Sequence, residues 1–126
     1  MDDVLRIQST SHRRTFTLQE ARKYLPVVRR ITENARERYN SVVFQLSTSA
    51  VDSATWVCLE EEATSLVRGW ADSIGRLGCS AQGLWTVDFD CGSGYYCWRL
   101  GESDVEHFHG YDDGFRDRVR IPDNST

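Results

Sequence analysis

The chain has 126 residues, of which 40% are hydrophobic and 27% are charged, with four tryptophans and two prolines. A chain of this length and composition is expected to fold as one globular domain that buries its own core. The formal net charge of −4 argues against a nucleic-acid-binding protein, because such proteins present a basic face to phosphates. A membrane-spanning protein is disfavoured too, since no segment has the ~18–20 apolar residues that cross a bilayer.

The beginning of the chain predicts the cellular compartment. It carries acidic residues where a secretory signal needs basic ones and lacks an apolar central region, so we expect a cytoplasmic protein. In that reducing environment the four cysteines are expected to be thiols, and none of them forms the CxxC pair of a four-cysteine zinc site. We interpret residues 1–14 as a flexible N-terminal arm, 15–121 as a single α+β domain and 122–126 as a tail.

The first helix is predicted from its start signal. Thr17 and Glu20 have the spacing of a capping box, in which each side chain accepts a hydrogen bond from the other residue's backbone N–H. Phe16 precedes them as a hydrophobic staple requires. The helix is expected over about 17–47, and Pro26 leaves two alternatives: a short helix before it, or a kink in one long helix.

A second helix is predicted over about 54–77, with Gly78 ending it. Apolar residues recur along both helices at spacings of three and four, so each helix has one apolar stripe. Two such helices with a short connection form an antiparallel hairpin. Further apolar residues exceed what one hairpin and a small sheet can cover, so we expect a homodimer built mainly from the helices. These residues are Val27, Val43, Phe44 and Val67.

After the second helix the hydrophobic period shortens to two residues, which predicts strands. We expect three strands, over 84–90, 95–100 and 105–109, joined by glycine-containing turns. The predicted fold class is therefore α+β: a long antiparallel helical hairpin packed with a small three-stranded antiparallel β-meander.

The turn between the second and third strands sets an expected register. A four-residue turn places Trp98 opposite His107 and Tyr96 opposite His109, so that both histidines share one face of the sheet. Cys97 then points to the other face. A shift by one residue would reverse these positions, because neighbouring side chains alternate between the faces.

Two segments of the chain resemble a bacterial family, the domain of unknown function 2203. The first is Phe16-Thr17-Leu18-Gln19-Glu20-Ala21, followed by Leu25-Pro26. The second begins at Gly83 and continues through Val87-Asp88-Phe89 and Cys97-Trp98-Arg99-Leu100-Gly101-Glu102 to His109 and Gly114-Phe115. The resemblance covers roughly residues 15–121. It implies a fold and a location for the site, and it implies no activity.

The segment between Cys97 and Phe115 is the candidate site, because it concentrates histidines, acidic residues and a cysteine. His107 and His109 are two residues apart, so on a strand both imidazoles point to the same side and can chelate one ion. In the expected register Glu102 and Asp112 are better partners for this pair than Cys97. A divalent metal such as zinc is the cofactor that this set predicts.

Two other interpretations of the segment remain open. His109 is a core histidine if its ring donates a hydrogen bond to Glu102 or to a backbone carbonyl. Alternatively, His109 and Glu102 form an acid/base pair for proton transfer. Three function classes follow: a homodimeric binding or interaction module, which the sequence favours, a zinc-like metal-binding protein, and a small metal-dependent or acid/base enzyme that uses His107, His109 and Glu102.

Overall fold

The computed structural model describes residues 14–48 and 51–122. Two helices, α1 (Leu18–Thr48) and α2 (Ser53–Arg76), form the predicted hairpin. Neither helix in these ranges combines the length and the apolar character that crossing a membrane requires. Apart from Arg14 and Pro122, the predicted arm and tail lie outside the described residues.

Within the described residues the sheet has five strands, whereas the sequence predicted three. They pair antiparallel in chain order, and the fold class is α+β as expected. The strands are β1 (Ser80–Ala81), β2 (Thr86–Asp90), β3 (Tyr95–Arg99), β4 (His107–His109) and β5 (Val119–Arg120). The two strands that the sequence missed are the outermost ones. Each has only two residues, too few to show an alternating pattern.

Local signals explain where α1 begins. The backbone N–H of Thr17 donates to Glu20 Oε1 over 2.9 Å, and the N–H of Glu20 donates to Thr17 Oγ1 over 3.0 Å, which confirms the capping box. The ring of Phe16 is buried beside it. Pro26 lies inside one continuous helix on its exposed side, so the alternative of a separate short helix is wrong.

The second helix also begins and ends at recognisable residues. Asp52 caps it, with Oδ1 accepting the N–H of Thr55 over 2.8 Å. Leu77 follows as the C-cap, and Gly78 then has a φ of +89°, a conformation that glycine adopts without steric cost. The end predicted from Gly78 is thereby confirmed.

The core lies between the base of the hairpin and the inner face of the sheet. Val87, Phe89 and Trp98 supply the sheet side, and each is completely buried. They belong to one hydrophobic cluster with residues of both helices, among them Val28 and Ile74. Burying each large apolar side chain contributes about 1.5–3 kcal/mol, so this cluster holds the sheet against the helices.

The far half of the hairpin extends beyond this core. Past Thr32 the buried residue of α1 is Val42, and before Trp70 the buried residue of α2 is Leu59. Several large apolar side chains in this half are exposed by 39–66%. They are Val43, Phe44, Trp56 and Val57.

The register between β3 and β4 differs by one residue from the prediction. Cys97 lies opposite His107, and Tyr95 lies opposite His109. The predicted four-residue turn is wrong because the connection between the strands is longer: a tight turn closes with the N–H of Glu102 on the carbonyl of Arg99, and the chain then places Val105 in the core before β4 begins. Cys97 therefore shares the outer face of the sheet with both histidines.

Candidate metal centre

Three buried side chains with different ligand chemistry meet on the outer face of the sheet. They are Asp88 on β2, Cys97 on β3 and His109 on β4, with relative exposures of 2%, 0% and 4%. One carboxylate oxygen, the thiol sulfur and one ring nitrogen all lie within 4.8 Å of one another. We call these residues the triad.

The strand ladder explains why the triad converges. Asp88 and Cys97 are direct partners in the antiparallel pair of β2 and β3, so their side chains leave the sheet on the same face. His109 lies opposite Tyr95, two residues along the strand from Cys97, and thus also on that face. The side chains between these positions point inward to the core.

Both ring nitrogens of His109 lie within hydrogen-bonding distance of an oxygen atom. Nδ1 lies 3.0 Å from the carbonyl oxygen of Gly110, and Nε2 lies 3.1 Å from Asp88 Oδ2. A neutral imidazole has one N–H, and donating it from Nδ1 to the carbonyl directs the Nε2 lone pair at the carboxylate. A cation between Nε2 and Oδ2 would satisfy both. The contact of Nδ1 with a backbone carbonyl fits the alternative of a core histidine, and it is also typical of metal-binding histidines.

The carboxylate of Asp88 is incompletely satisfied by the described residues. Its Oδ1 is buried and has no hydrogen-bond partner among them. Burial raises the pKa of Asp88, and the nearby Cys97, His109 and Arg118 counter only part of this effect. A buried acceptor without a partner is costly, and a cation that contacts both carboxylate oxygens would remove that cost.

The thiol of Cys97 is expected to ionise only when a metal ion binds it. Burial, followed by the negative charge of Asp88, raises the pKa of Cys97 to about 12, while the Arg118 guanidinium 3.9 Å from the sulfur acts in the opposite direction. A metal ion displaces the thiol proton when it binds. Oxygen, sulfur and nitrogen donors together suit a borderline cation such as zinc.

The triad lines a cavity of about 420 Å³. Aromatic rings of Tyr95, Tyr111 and Phe115 form part of its wall. Tyr111 donates to Asp90 Oδ1 over 2.6 Å, and this bond raises the pKa of its hydroxyl to about 12. A larger cavity of about 850 Å³ shares Asp88 and both tyrosines and continues toward the end of α2.

The structure separates the four residues that the sequence grouped as metal ligands. His109 is in the triad, and its carboxylate neighbour is Asp88 rather than Glu102. His107 lies on the same face, with Nδ1 3.9 Å from Glu102 Oε2. Asp112 is exposed in the loop after β4 and lies outside the triad. Metal binding by the grouped set stays a prediction.

Glu102 has a partner that the sequence did not indicate. Arg118 donates to both of its carboxylate oxygens, over 2.8 and 3.1 Å, and the N–H of Arg99 donates to Oε1 over 2.9 Å. The ring of Phe115 lies against both guanidinium groups, with its centroid 3.9 Å from Cζ of Arg118 and 5.0 Å from Cζ of Arg99. Glu102 therefore ties the C-terminal segment to the sheet.

Sequence reasoning missed Asp88 and set Cys97 aside. The signal for Asp88 was its position between Val87 and Phe89, two core residues of an alternating strand, because an acidic residue there must lie on the opposite face. The expected register made Cys97 a weaker partner than Glu102 and Asp112, and the structure corrects that register.

A protein-family model matches most of the chain. The family model described as "Uncharacterized conserved protein (DUF2203)" matches residues 14–121, and it includes the whole triad. Comparison with curated proteins and with solved structures gave no match. The chain belongs to the family of uncharacterized conserved proteins designated DUF2203.

Proposed function

We propose that the protein binds a divalent transition metal, with zinc the best fit, through Asp88, Cys97 and His109. The observation that carries this proposal is the buried convergence of three different ligand atoms within 4.8 Å. The partnerless Oδ1 of Asp88 and the Nδ1 contact of His109 with the Gly110 carbonyl support it independently. A reducing compartment, for which we propose the cytoplasm, keeps the thiol of Cys97 available.

The number of ligands favours a centre that acts on a small molecule. Structural zinc sites have four protein ligands, whereas catalytic sites have three and keep one position open. The triad supplies three, and all of them line the cavity of about 420 Å³. If a zinc ion were bound, Asp88, Cys97 and His109 would hold it, and the ion would supply Lewis-acid chemistry to a molecule in the cavity. The side chains of Asp88 and His109 position the ion, and the cavity admits the ligand.

Metal affinity of the full-length chain tests the proposal. The dissociation constant for zinc would be measured by competition with a chromophoric chelator for the wild type and for D88N, C97S and H109Q. Each change removes one ligand atom and is expected to weaken binding by more than the ~10–100-fold typical of an outer-shell change.

Matched variants control for the loss of similar groups elsewhere. Cys58→Ser removes an exposed thiol, and His107→Gln and Asp112→Asn remove two ligands that the sequence predicted. We expect all three to bind zinc nearly as the wild type does. Full affinity in H109Q, or loss of affinity in all variants alike, would exclude the triad as the binding site.

We also propose that the protein is a homodimer, with a second copy on the far half of the hairpin. The exposed apolar side chains there, led by Phe44 at 66%, form the surface that a partner would cover. The same half has Arg36 and Arg38 exposed on α1 together with Glu33 and Glu37, and an exposed run of three glutamates, 60–62, on α2. The apolar side chains, rather than charge complementarity, therefore support the dimer.

A further inference from the structure

We infer that the cavity beside the triad selects a neutral or positively charged nitrogen ligand over an anionic one. This inference rests on the proposed metal centre and adds the chemical class of the molecule that completes it. The cavity volume of about 420 Å³ is within the range that binds small organic molecules. The open metal position would hold the donor nitrogen of the ligand. The side chains of the cavity wall would discriminate between ligands by the charge of the remaining part of the molecule.

The side chains of the cavity wall carry negative charge. Among the described residues, the carboxylate of Asp113 lines this cavity in addition to the proposed metal ligand Asp88, and no lysine or arginine does. Asp113 is exposed and is held in place by the N–H of Gly110, which lies 3.3 Å from Oδ2. An anionic ligand would therefore meet like charge at the wall without a cationic side chain to pair with it.

The nearby guanidinium groups do not offset the negative charge of the cavity wall. Arg118 is 3.9 Å from the sulfur of Cys97, but it is already paired with both carboxylate oxygens of Glu102. Arg14 and Arg76 line only the larger cavity, where Asp72 and Asp90 also contribute carboxylates. The positive charges around the site are thus matched by negative ones.

The metal ion and its three protein ligands together carry no net formal charge. Two positive charges on the ion are balanced by the carboxylate of Asp88 and the thiolate of Cys97, while the neutral His109 adds none. The aromatic rings of Tyr95 and Tyr111 in the cavity wall favour flat rings and cations, because a ring face attracts positive charge. A ring that carries a donor nitrogen and an amine has the expected chemistry.

Three probes with the same donor test the charge selectivity. The full-length chain is loaded with cobalt(II), and its visible absorption is titrated with pyridine carrying an aminomethyl, a methyl or a carboxymethyl group at the meta position. None of the three can chelate one ion, and they differ in net charge by one step each. We expect the aminomethyl probe to bind tightest and the carboxymethyl probe weakest. The dissociation constant should change by about two- to fivefold for each unit of charge. The donor strength of the ring nitrogen does not explain this order, because the ammonium group weakens it.

Two aspartate variants test where the charge selectivity arises. Asp113→Asn should reduce the ratio of the dissociation constants of the anionic and cationic probes by about two- to fivefold. Asp112→Asn removes the same charge outside the cavity and should leave this ratio unchanged. Equal binding of the three probes, or tightest binding of the anionic one, would overturn the inference while the cobalt spectrum still supports the metal centre. Absence of a sulfur-to-cobalt band would instead remove the metal centre, and the inference with it.

Discussion

Gly94 lies so close to His109 that a Cβ atom on Gly94 would be 2.6 Å from the carbonyl oxygen of His109. The same atom would lie 2.6 Å from the ring of Phe108. Real Cβ atoms do not approach other heavy atoms this closely, so the position requires glycine. The β2–β3 turn thereby sets the position of the strand that carries the histidine of the triad.

Gly94→Ala is expected to damage both stability and metal binding. The added methyl group must push β4 away, which costs about 1–3 kcal/mol of unfolding free energy and moves His109 from the other two ligands. Urea unfolding and the zinc dissociation constant measure the two effects. Gly114→Ala is the control, because a Cβ there meets nothing within 4 Å. A Gly94→Ala protein with unchanged stability and affinity would show that this close packing is unimportant.

Asp88→Asn is expected to stabilise the metal-free protein while abolishing its tight metal binding. The change removes a buried charge with a partnerless oxygen, and the new amide N–H can donate to Nε2 of His109. Replacing a functional residue in this way typically raises the free energy of unfolding by about 0.5–2 kcal/mol. The measurement is urea unfolding with a chelator present, with Asp90→Asn for comparison. Metal-free D88N that is less stable than the wild type would contradict the account of this carboxylate.

The ion pair of Glu102 and Arg118 predicts a pH dependence. Burial alone would raise the pKa of Glu102, but the Arg118 guanidinium and the Arg99 N–H outweigh it and lower that pKa. The stabilisation is therefore complete above the unfolded pKa, about 4.3, and is lost as the pH falls through the lower folded value. Glu102→Gln should cost about 1–2 kcal/mol at neutral pH, because the pair is partly open to solvent.

Urea unfolding at neutral pH and near pH 3 measures this dependence. The difference between the wild type and Glu102→Gln should shrink at the acidic pH. Glu106→Gln is the matched control, since its pair with Arg120 is 3.6 Å long and more exposed, and we expect a change within about 0.5 kcal/mol. A difference that persists unchanged in acid would show that Glu102 acts through packing rather than charge.

Phe44→Glu is expected to convert the proposed homodimer into a monomer. It places a charge where the most exposed of the large apolar side chains of the hairpin would meet the second copy. Sedimentation equilibrium at tens of micromolar measures the change, and Gln45→Glu adds the same charge at the neighbouring exposed position. A wild-type monomer at that concentration would remove the dimer proposal.

The helical part of the fold was predictable because its signals are local. The capping box at Thr17, the glycine at 78 and the apolar stripes fixed the ends of both helices to within a residue or two. The effect of Pro26 was less predictable, because it depends on the packing of the whole helix. The structure gives a continuous helix there.

The candidate site was only partly predictable because it depends on contacts between strands. His109 was identified, whereas its neighbours were not: the burial of Val105 lengthens a connection and shifts the register by one residue. That shift brings Cys97 to the face of the histidines. Asp88 comes from a strand 21 residues earlier in the chain, and no local pattern ties it to His109.

X-ray absorption at the zinc edge of the zinc-loaded full-length protein tests the central proposal most directly. Coordination by Asp88, Cys97 and His109 predicts one sulfur at about 2.3 Å together with nitrogen and oxygen ligands at about 2.0–2.2 Å. The set expected from the sequence, His107, His109, Glu102 and Asp112, contains no sulfur. A spectrum with only nitrogen and oxygen neighbours would therefore contradict the triad.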